Sequence, residues 1–334
     1  MRLTKQSFEI LEQEIPVRKP DDSNESYKNR YLEYMYKHIE KCGRTCYKSE
    51  DKITEDSAVR FVSGLIKSRH LSVLEHGAVY LKVPVDYSFI AVKYTDNYSK
   101  LSNDENYYHI TTNYRVIVEN GWEKDLQYLC EPTEFHERRH TVLLHSCIHA
   151  YKDLTRHRRM SFSIESTRYC NYSKTDKFGE MKFVLPPWVT EEPTSKWWLK
   201  EGERLHQPLR KEGEPLEDFG RVWYEIPMDD VDKDWETGEY HLNYKWNNAD
   251  IFLHGLKCAE DTYNLLIESG WQPQQAAEVL PQCTAADVVM SGFSSDWMFV
   301  FRLRTSYIHE TGMPHPLVSE IMDPLYDEFR KRDY

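Results

Sequence analysis

The stretch RHRRMSFSIESTRY, residues 156–169, places five basic and four hydroxyl side chains within fourteen positions. The whole chain of 334 residues carries a formal net charge of -12, so this stretch locally inverts the sign of the charge. Guanidinium and hydroxyl groups bind oxyanions with a defined direction, which favours a site for a phosphate or for an anionic ring. A solvated basic turn is the alternative interpretation of the same cluster.

Length and composition limit the class of protein. A chain of 334 residues can bury a large core, as one large domain or as two smaller ones. A sequence pI near 5.6 argues against general nucleic-acid binding, which needs a broad basic face. No apolar run reaches membrane-spanning length, and the first residues lack a signal-peptide core. We therefore expect a cytoplasmic protein with neither a nucleic acid nor a membrane as partner.

The seven cysteines are scattered along the chain, which favours free thiols over a disulfide framework in a cytoplasmic protein. Only Cys42 and Cys46 lie close together in sequence, and no second pair follows at zinc-finger spacing. We therefore expect no structural metal.

Hydrophobic periodicity predicts a mixture of helices and strands around the basic stretch. The predicted helices cover 27–42, 57–68, 150–159, 248–270, 294 onwards and 316–329. The predicted strands cover 7–15, 79–83, 113–118, 141–149, 181–185 and 285–290. The Arg-His-Arg sequence is placed on the last turn of the third helix. Because strands and helices do not alternate regularly, the α+β class is the prediction.

Arg304 stands out on the helix predicted from Ser294. Trp297, Val300, Phe301 and Arg304 recur at the spacing of one helix face, so the arginine shares a face with apolar side chains. A guanidinium in such a place needs a carboxylate or an anionic ligand. On this observation alone, a structural ion pair and a ligand contact are equally good interpretations.

A second polar cluster, containing His70, Ser72, Glu75 and His76, falls in the turn between the helix over 57–68 and the strand over 79–83. Turns at the ends of rigid elements often carry binding groups. A hydrogen-bonded structural turn is the alternative interpretation.

Rival chemical interpretations are weaker. His136 and His140 match the H-E-x-x-H pattern of a zinc hydrolase. The segment between them holds two arginines, however, and in a strand the two histidines would lie about 13 Å apart. Cys170 has no identified orienting acid as a nucleophile, and no dinucleotide-binding or P-loop glycine motif is present. A nucleotide-binding protein without catalysis stays open.

Four stretches resemble the flavin-dependent thymidylate synthases, the ThyX family, and follow in that family's order. They are RTCYKS (44–49), HLSVLEH (70–76), RHRRMSFSIESTRYCNYSK (156–174) and the segment from AAEVLP to the last predicted helix (276–329). The resemblance implies a mostly antiparallel sheet packed with helices, in a single domain over 1–334 with insertions near 86–140 and 188–247. It also implies a homotetramer with its sites at subunit interfaces.

The resemblance implies a specific activity. The chain would make dTMP from dUMP, with the methylene carbon of methylenetetrahydrofolate and a hydride from FAD that NADPH has reduced. FAD would be tightly bound, NADPH and methylenetetrahydrofolate would be co-substrates, and no metal would take part. The alternative is a nucleotide- or flavin-binding homologue with lost or altered catalysis.

The resemblance also assigns residues. Flavin contacts fall on His70, Ser72, Glu75, Arg156, His157 and Arg158. Contacts to dUMP fall on Asp153, Arg156, Glu165, Ser166, Thr167, Arg168 and Arg304. Arg304 matches the catalytic arginine that polarises the uracil ring and favours loss of its N3 proton, an effect that a low dielectric strengthens.

Several positions depart from the family pattern. Ala277 stands where many members have an arginine that helps to bind dUMP. Ser163 and Ile164 replace the usual Asn and Glu or Gln of the signature. Phe293 and Phe299 stand where other members have flavin-contacting asparagines, so we expect flavin binding on that side to differ or to be weaker.

Overall fold

The computed structural model describes residues 1–166, 170–173, 180–193, 246–308 and 310–334, together with three short strands between 219 and 242. The chain divides into two compact units. The smaller unit comprises residues 1–7, 146–150 and 166–286, and the larger unit comprises residues 8–145, 151–165 and 287–334. Most of the predicted insertion at 188–247 lies outside the described residues.

The described elements mix helices and strands. The helices are α1 (Asn24–Thr45), α2 (Ser57–Ser68), α3 (Ser88–Lys93), α4 (Tyr114–Asn120), α5 (Ile148–Leu154), α6 (Asn248–Glu268), α7 (Pro273–Ala276), α8 (Ser294–Arg304) and α9 (Pro316–Lys331). The strands are β1 (Arg2–Thr4), β2 (Ser7–Leu11), β3 (Ala78–Pro84), β4 (Lys100–Asn103), β5 (Tyr107–Asn113), β6 (Arg139–Cys147), β7 (Ser161–Ile164), β8 (Lys182–Val184), β9 (Phe219–Arg221), β10 (Val231–Lys233), β11 (Tyr240–Leu242) and β12 (Ala285–Phe293). The predicted α+β class is confirmed.

Most residues of two sheets lie in the larger unit. In one sheet the strand order is β2-β6-β12-β7, and β12 runs antiparallel to β7 with Ser291 opposite Ser161. In the other sheet β3, β5 and β4 form an antiparallel set, with Ala78 opposite Asn113. A 3-10 helix, Leu71–His76, connects α2 to β3 and carries the second polar cluster.

Helix α1 is amphipathic and packs on α2. Its buried side chains recur about every fourth residue, at Tyr27, Tyr31, Met35 and Ile39. That spacing places them on one face, which joins the apolar core of the larger unit. Near the end of α1, a Cβ at Gly43 would lie 2.7 Å from Val73 and 2.8 Å from Phe61, so the close approach requires glycine there.

The predicted strand over 113–118 is wrong. Its residues form α4, and Asn113 is the N-cap, whose side chain accepts a hydrogen bond from the backbone N–H of Val116. The apolar run that follows suits a buried helix face as well as a strand. The strand lies immediately before it, as β5. Gly121 ends α4 with a φ of 68°, in the left-handed region that favours glycine.

The predicted helix over 150–159 is shorter than expected. Helix α5 ends at Leu154, so the Arg-His-Arg sequence lies in the turn after the helix and not on its last turn. The backbone N–H of His157 bonds to Leu154 O at 3.0 Å, and that of Met160 bonds to His157 O at 2.9 Å. These bonds reach back three residues, which tightens the chain and ends the α-helical pattern.

In the smaller unit, β1 lies between β8, to which it is parallel, and β9, to which it is antiparallel. Helix α6 contributes Leu253, Leu256 and Tyr263 to the core of this unit. Its N-cap is Asn247, which forms a capping box with Asp250. Among the described residues no helix is long and apolar enough to cross a membrane.

Candidate active site

Arg304 ends helix α8 and has partners, as its apolar surroundings predict. Its Nε donates to Nε2 of His157 at 3.1 Å, and its Nη2 donates to the main-chain oxygen of Asp153 at 3.0 Å. Its Nη1 lies 3.8 Å from Oδ2 of Asp153, and the side chain is only 17% exposed. The structure thus brings three of the predicted site residues into direct contact in the larger unit.

His157 is buried beneath this arginine. Burial, together with repulsion by Arg304, lowers the pKa of His157 to about 4, so the imidazole is neutral at pH 7. Its ring meets Phe299 edge to face at 5.8 Å. Nδ1 is buried and has no hydrogen-bond partner among the residues that the structure describes. This nitrogen could therefore form a hydrogen bond with a ligand.

The turn over 155–160 separates apolar from cationic side chains. His157 and Met160 point inward, whereas Arg156, Arg158 and Arg159 are exposed. Arg156 lies 3.3 Å from Oδ1 of Asp153, an exposed ion pair of the kind that contributes little to stability. Three guanidinium groups are therefore presented by one turn, where they can meet an anionic ligand.

His70 and Ser72 line a pocket of about 720 Å³. Arg69 and Arg115 line the same pocket, and the sequence singled out neither of them. Arg115 also donates to Glu75 at 2.6 Å, so Glu75 is already paired in this structure. The pairing of β3 with β5 aligns Ala78 with Asn113, two residues before Arg115. Identifying Arg115 as a residue of this pocket requires that register, which the sequence does not reveal.

The carboxylate of Glu165 pairs with Lys48 and with the backbone of Asp287. Oε1 lies 2.9 Å from Nζ of Lys48, and Oε2 accepts from the backbone N–H of Asp287 at 3.1 Å. Lys48 belongs to the RTCYKS stretch, so this pair connects two of the four stretches. The predicted contact of Glu165 with dUMP stays a prediction.

Ser166 is described, and its main-chain oxygen accepts from Cys170 N at 2.9 Å. Thr167 and Arg168, which complete the predicted nucleotide-binding run, lie outside the described residues. Their predicted contacts with dUMP also stay predictions.

A buried chain of hydrogen bonds ties the second polar cluster to the basic stretch. His76 lies between Ser291, 2.7 Å from Nδ1, and Ser163, 2.8 Å from Nε2. The chain continues from Ser291 to Thr141 at 2.7 Å and on to His38 at 3.3 Å. Ser163, a departure from the family signature, therefore satisfies a buried histidine.

The phenylalanines that replace asparagines differ in exposure. Phe293 is fully buried, with the Arg139 guanidinium 4.8 Å from its ring centre, whereas Phe299 is 53% exposed. Neither side chain can form an amide hydrogen bond with a flavin. Ala277 packs partly buried against the core of the smaller unit, where it contributes no charge.

His136 and His140 use their nitrogens for other partners. Nε2 of His136 donates to Leu81 O at 3.0 Å, and Nε2 of His140 lies 2.9 Å from the Ser294 hydroxyl. Across the described ranges, no group of three or more His, Cys, Asp or Glu side chains is arranged to hold a metal ion. The geometry therefore gives the zinc-hydrolase alternative no support.

Comparison with known proteins gives one family. The family described as thymidylate synthase complementing protein matches residues 140–311, a little over half of the chain. This range includes Asp153, the Arg-His-Arg turn and Arg304. No curated protein sequence is significantly similar to the chain.

Two similar solved structures are those of a UMP/dUMP methylase, PolB, from Streptomyces cacaoi. The structure bound with 5-Br UMP is 16% identical, has a TM-score of 0.39 and covers 99% of this chain and 92% of PolB. The structure bound with 5-Br dUMP is 17% identical, has a TM-score of 0.39 and covers 99% of this chain and 93% of PolB.

Proposed function

Since the chain belongs to the thymidylate synthase complementing protein family, the ThyX family to which the sequence resemblance pointed, we propose that it methylates dUMP to dTMP. The observation that carries this proposal is the arrangement of Arg304 with His157 and Asp153 within the matched range. A half-buried guanidinium with fixed partners is suited to stabilise charge that develops on a ring.

Arg304 has the electrostatic role. Burial lowers the pKa of Arg304, yet a guanidinium stays protonated at neutral pH. Its Nε and one N–H of Nη2 are used by His157 and Asp153, which leaves N–H groups of Nη1 and Nη2 for a pyrimidine carbonyl. Donation to that oxygen stabilises the negative charge that spreads over the ring when N3 loses its proton. Once the N3 proton has passed to solvent, the electron-rich anion is a better carbon nucleophile than the neutral ring.

The phosphate of dUMP requires cations and hydroxyls. Arg156 is exposed beside Asp153, and Ser166, Thr167 and Arg168 follow in the nucleotide-binding run that the resemblance assigns. Bidentate guanidinium contacts are the common way to bind a phosphate. In this proposal the acidic Asp153 orients Arg156 and Arg304, which leaves their remaining N–H groups to the nucleotide.

The residues present also fit FAD. The exposed Arg156 and Arg158 supply cations for a diphosphate, and the Nδ1–H of His157 is a buried donor without a protein partner among the described residues. His70 and Ser72 line a pocket of about 720 Å³, and Glu75 lies beside it. Bound FAD, reduced by NADPH, would supply the hydride that completes the methyl group, and methylenetetrahydrofolate would supply the carbon. A cytoplasmic homotetramer with sites at subunit interfaces belongs to the same proposal.

The test is dTMP formation by the purified protein with FAD, NADPH, methylenetetrahydrofolate and dUMP. We expect Arg304→Ala to lower the rate by at least a hundredfold, because the ring loses its charge stabilisation. Arg302→Ala is the matched control, since Arg302 lies on the same helix but is exposed and pairs with Glu310. Near-normal turnover in Arg304→Ala, or equal loss in both variants, would contradict the assigned role.

A nucleotide-binding homologue with altered catalysis is the second candidate. Two observations favour it: Ala277 brings no charge, and Phe293 is buried. Each of these residues removes one contact of the family pattern. This candidate predicts that the wild-type protein binds dUMP but forms no dTMP under the same conditions.

A further inference from the structure

The hydrogen bond between Arg304 and His157 determines the chemical state of the imidazole. A guanidinium nitrogen can only donate, so Nε2 of His157 accepts this bond at 3.1 Å. The ring is therefore neutral and carries its proton on Nδ1. An imidazolium has no acceptor and could not hold the arginine in this way.

The surroundings of His157 keep the ring in that state. The residue is 6% exposed, and the charged groups that act on it are Arg304 of α8 and Asp153 of α5. Desolvation, the largest effect, and Arg304 both disfavour the imidazolium, and together they outweigh Asp153, which favours it, so the pKa of His157 lies below its ordinary value. The ring of Phe299 lies in an edge-to-face arrangement with the imidazole, 5.8 Å between ring centres.

The same contacts restrict Arg304. Nε is held by a side chain of the turn after α5, and Nη2 is held by a main-chain oxygen of α5 itself. Two hydrogen bonds on different nitrogens define the plane of a guanidinium, because its donors have a fixed fork geometry. Without the acceptor on His157, the guanidinium would keep only the contacts with Asp153 and could rotate about them.

We propose that His157 is a positioning residue, which holds the guanidinium of Arg304 in the plane that binds the pyrimidine ring of dUMP. This inference rests on the proposed function. It gives the histidine of the Arg-His-Arg turn a role toward the nucleotide through Nε2, in addition to any cofactor contact through Nδ1–H. A guanidinium held in advance loses less conformational freedom when the nucleotide binds, so affinity should depend on the acceptor.

The experiment compares the dissociation constant of dUMP, measured by titration calorimetry, for wild-type protein and three variants. His157→Gln can place an amide oxygen near the position of Nε2 and should bind dUMP within about threefold of wild type. His157→Leu has no acceptor, and the shorter amide of His157→Asn reaches only the position of Nδ1. Both should weaken binding at least tenfold. The thermal midpoint of each variant establishes that it is folded.

Two further variants separate positioning from packing. His140→Leu removes another buried imidazole of the larger unit, bonded to Ser294, and should keep the wild-type affinity for dUMP. In an Arg304→Ala background, His157→Leu should cause no further loss, since the histidine acts through the arginine.

Equal dUMP affinity of His157→Leu, His157→Asn and wild type would overturn this inference and leave the proposed function intact. The inference would also fail if His157→Gln bound as weakly as His157→Asn. Wild-type protein that binds no dUMP at all would overturn both the inference and the proposed function.

Discussion

At the scale of single residues, Arg69 shows a local strain. It ends α2 with a φ of 58°, in the left-handed region that favours glycine, and its backbone N–H bonds to Ile66 O. Its side chain lines the pocket that also contains His70 and Ser72. The conformation thus carries a cost that a glycine would not.

Replacing Arg69 by glycine should raise the free energy of unfolding by about 1 kcal/mol, because glycine has no Cβ to clash in this conformation. Urea unfolding at pH 7.5 measures the change. The matched control is Lys67→Gly, two residues earlier inside α2, where glycine should lower the free energy of unfolding by about 1 kcal/mol. A loss of stability in Arg69→Gly equal to that of the control would contradict this account.

The sequence predicts that Arg304 needs a partner, but not which residue that partner is. The helical spacing predicts that Arg304 shares an apolar face and needs a partner, and the structure confirms both. The identity of the partner could not be predicted, because His157 lies 147 positions away in sequence. The pairing of Lys48 with Glu165 was missed for the same reason, since it depends on a contact between distant parts of the chain.

At the scale of elements, helix α4 shows where a pattern is ambiguous. Val116, Ile117 and Val118 form a short apolar run that either element can bury. The strand ends and the helix begins at Asn113, which is both the last residue of β5 and the N-cap of α4. Long periodic segments are less ambiguous, and α2 lies where the sequence predicts it, over 57–68.

Replacing Asn113 by alanine should lower the free energy of unfolding by about 1–2 kcal/mol, because the buried N–H of Val116 loses its acceptor. Asn103→Ala, at an exposed position of the neighbouring strand β4, should change it by less than about 0.5 kcal/mol. Chemical denaturation of both variants gives the comparison. Equal effects would show that Asn113 does not act as a cap.

At the scale of the whole molecule, buried neutral histidines contribute to the response to acid. Burial lowers the pKa of His38 to about 4 and that of His76 to about 3, and the pKa of His140 to about 4. The unfolded chain binds these protons from about pH 6.5 downward, whereas the folded chain does not. The contribution of these histidines to the free energy of unfolding should therefore be constant above pH 6.5. It should become increasingly unfavourable as the pH is lowered toward 4.

His76 offers a test of this sign. At pH 5 the buried, unprotonated His76 should lower the free energy of unfolding of the wild-type protein by about 2 kcal/mol. In His76→Gln, the slope of the free energy of unfolding against pH should be smaller by the equivalent of about one proton. Urea unfolding between pH 7.5 and pH 5 measures both slopes. Asn103→Ala, which removes no titratable group, is the control and should keep the wild-type slope. An unchanged slope in His76→Gln would contradict the assignment.

The sequence predicts the α+β class and the family, but not how the strands pair. The four stretches that resemble the family meet through contacts between residues far apart in sequence, such as His76 with Ser163. Such pairings follow from the register of whole sheets, which no local pattern specifies. The predicted insertions were the least informative segments, because their apolar periodicity is weak.

We propose that this chain transfers a one-carbon unit to dUMP in a flavin-dependent reaction. The most direct measurement is mass spectrometry of the nucleotide after incubation with methylenetetrahydrofolate labelled with ¹³C at the methylene carbon, dUMP, NADPH and FAD. We predict dTMP that carries the label, and none when FAD is removed. Unlabelled or absent dTMP, from a protein that demonstrably binds dUMP, would contradict the claim and favour a nucleotide-binding homologue.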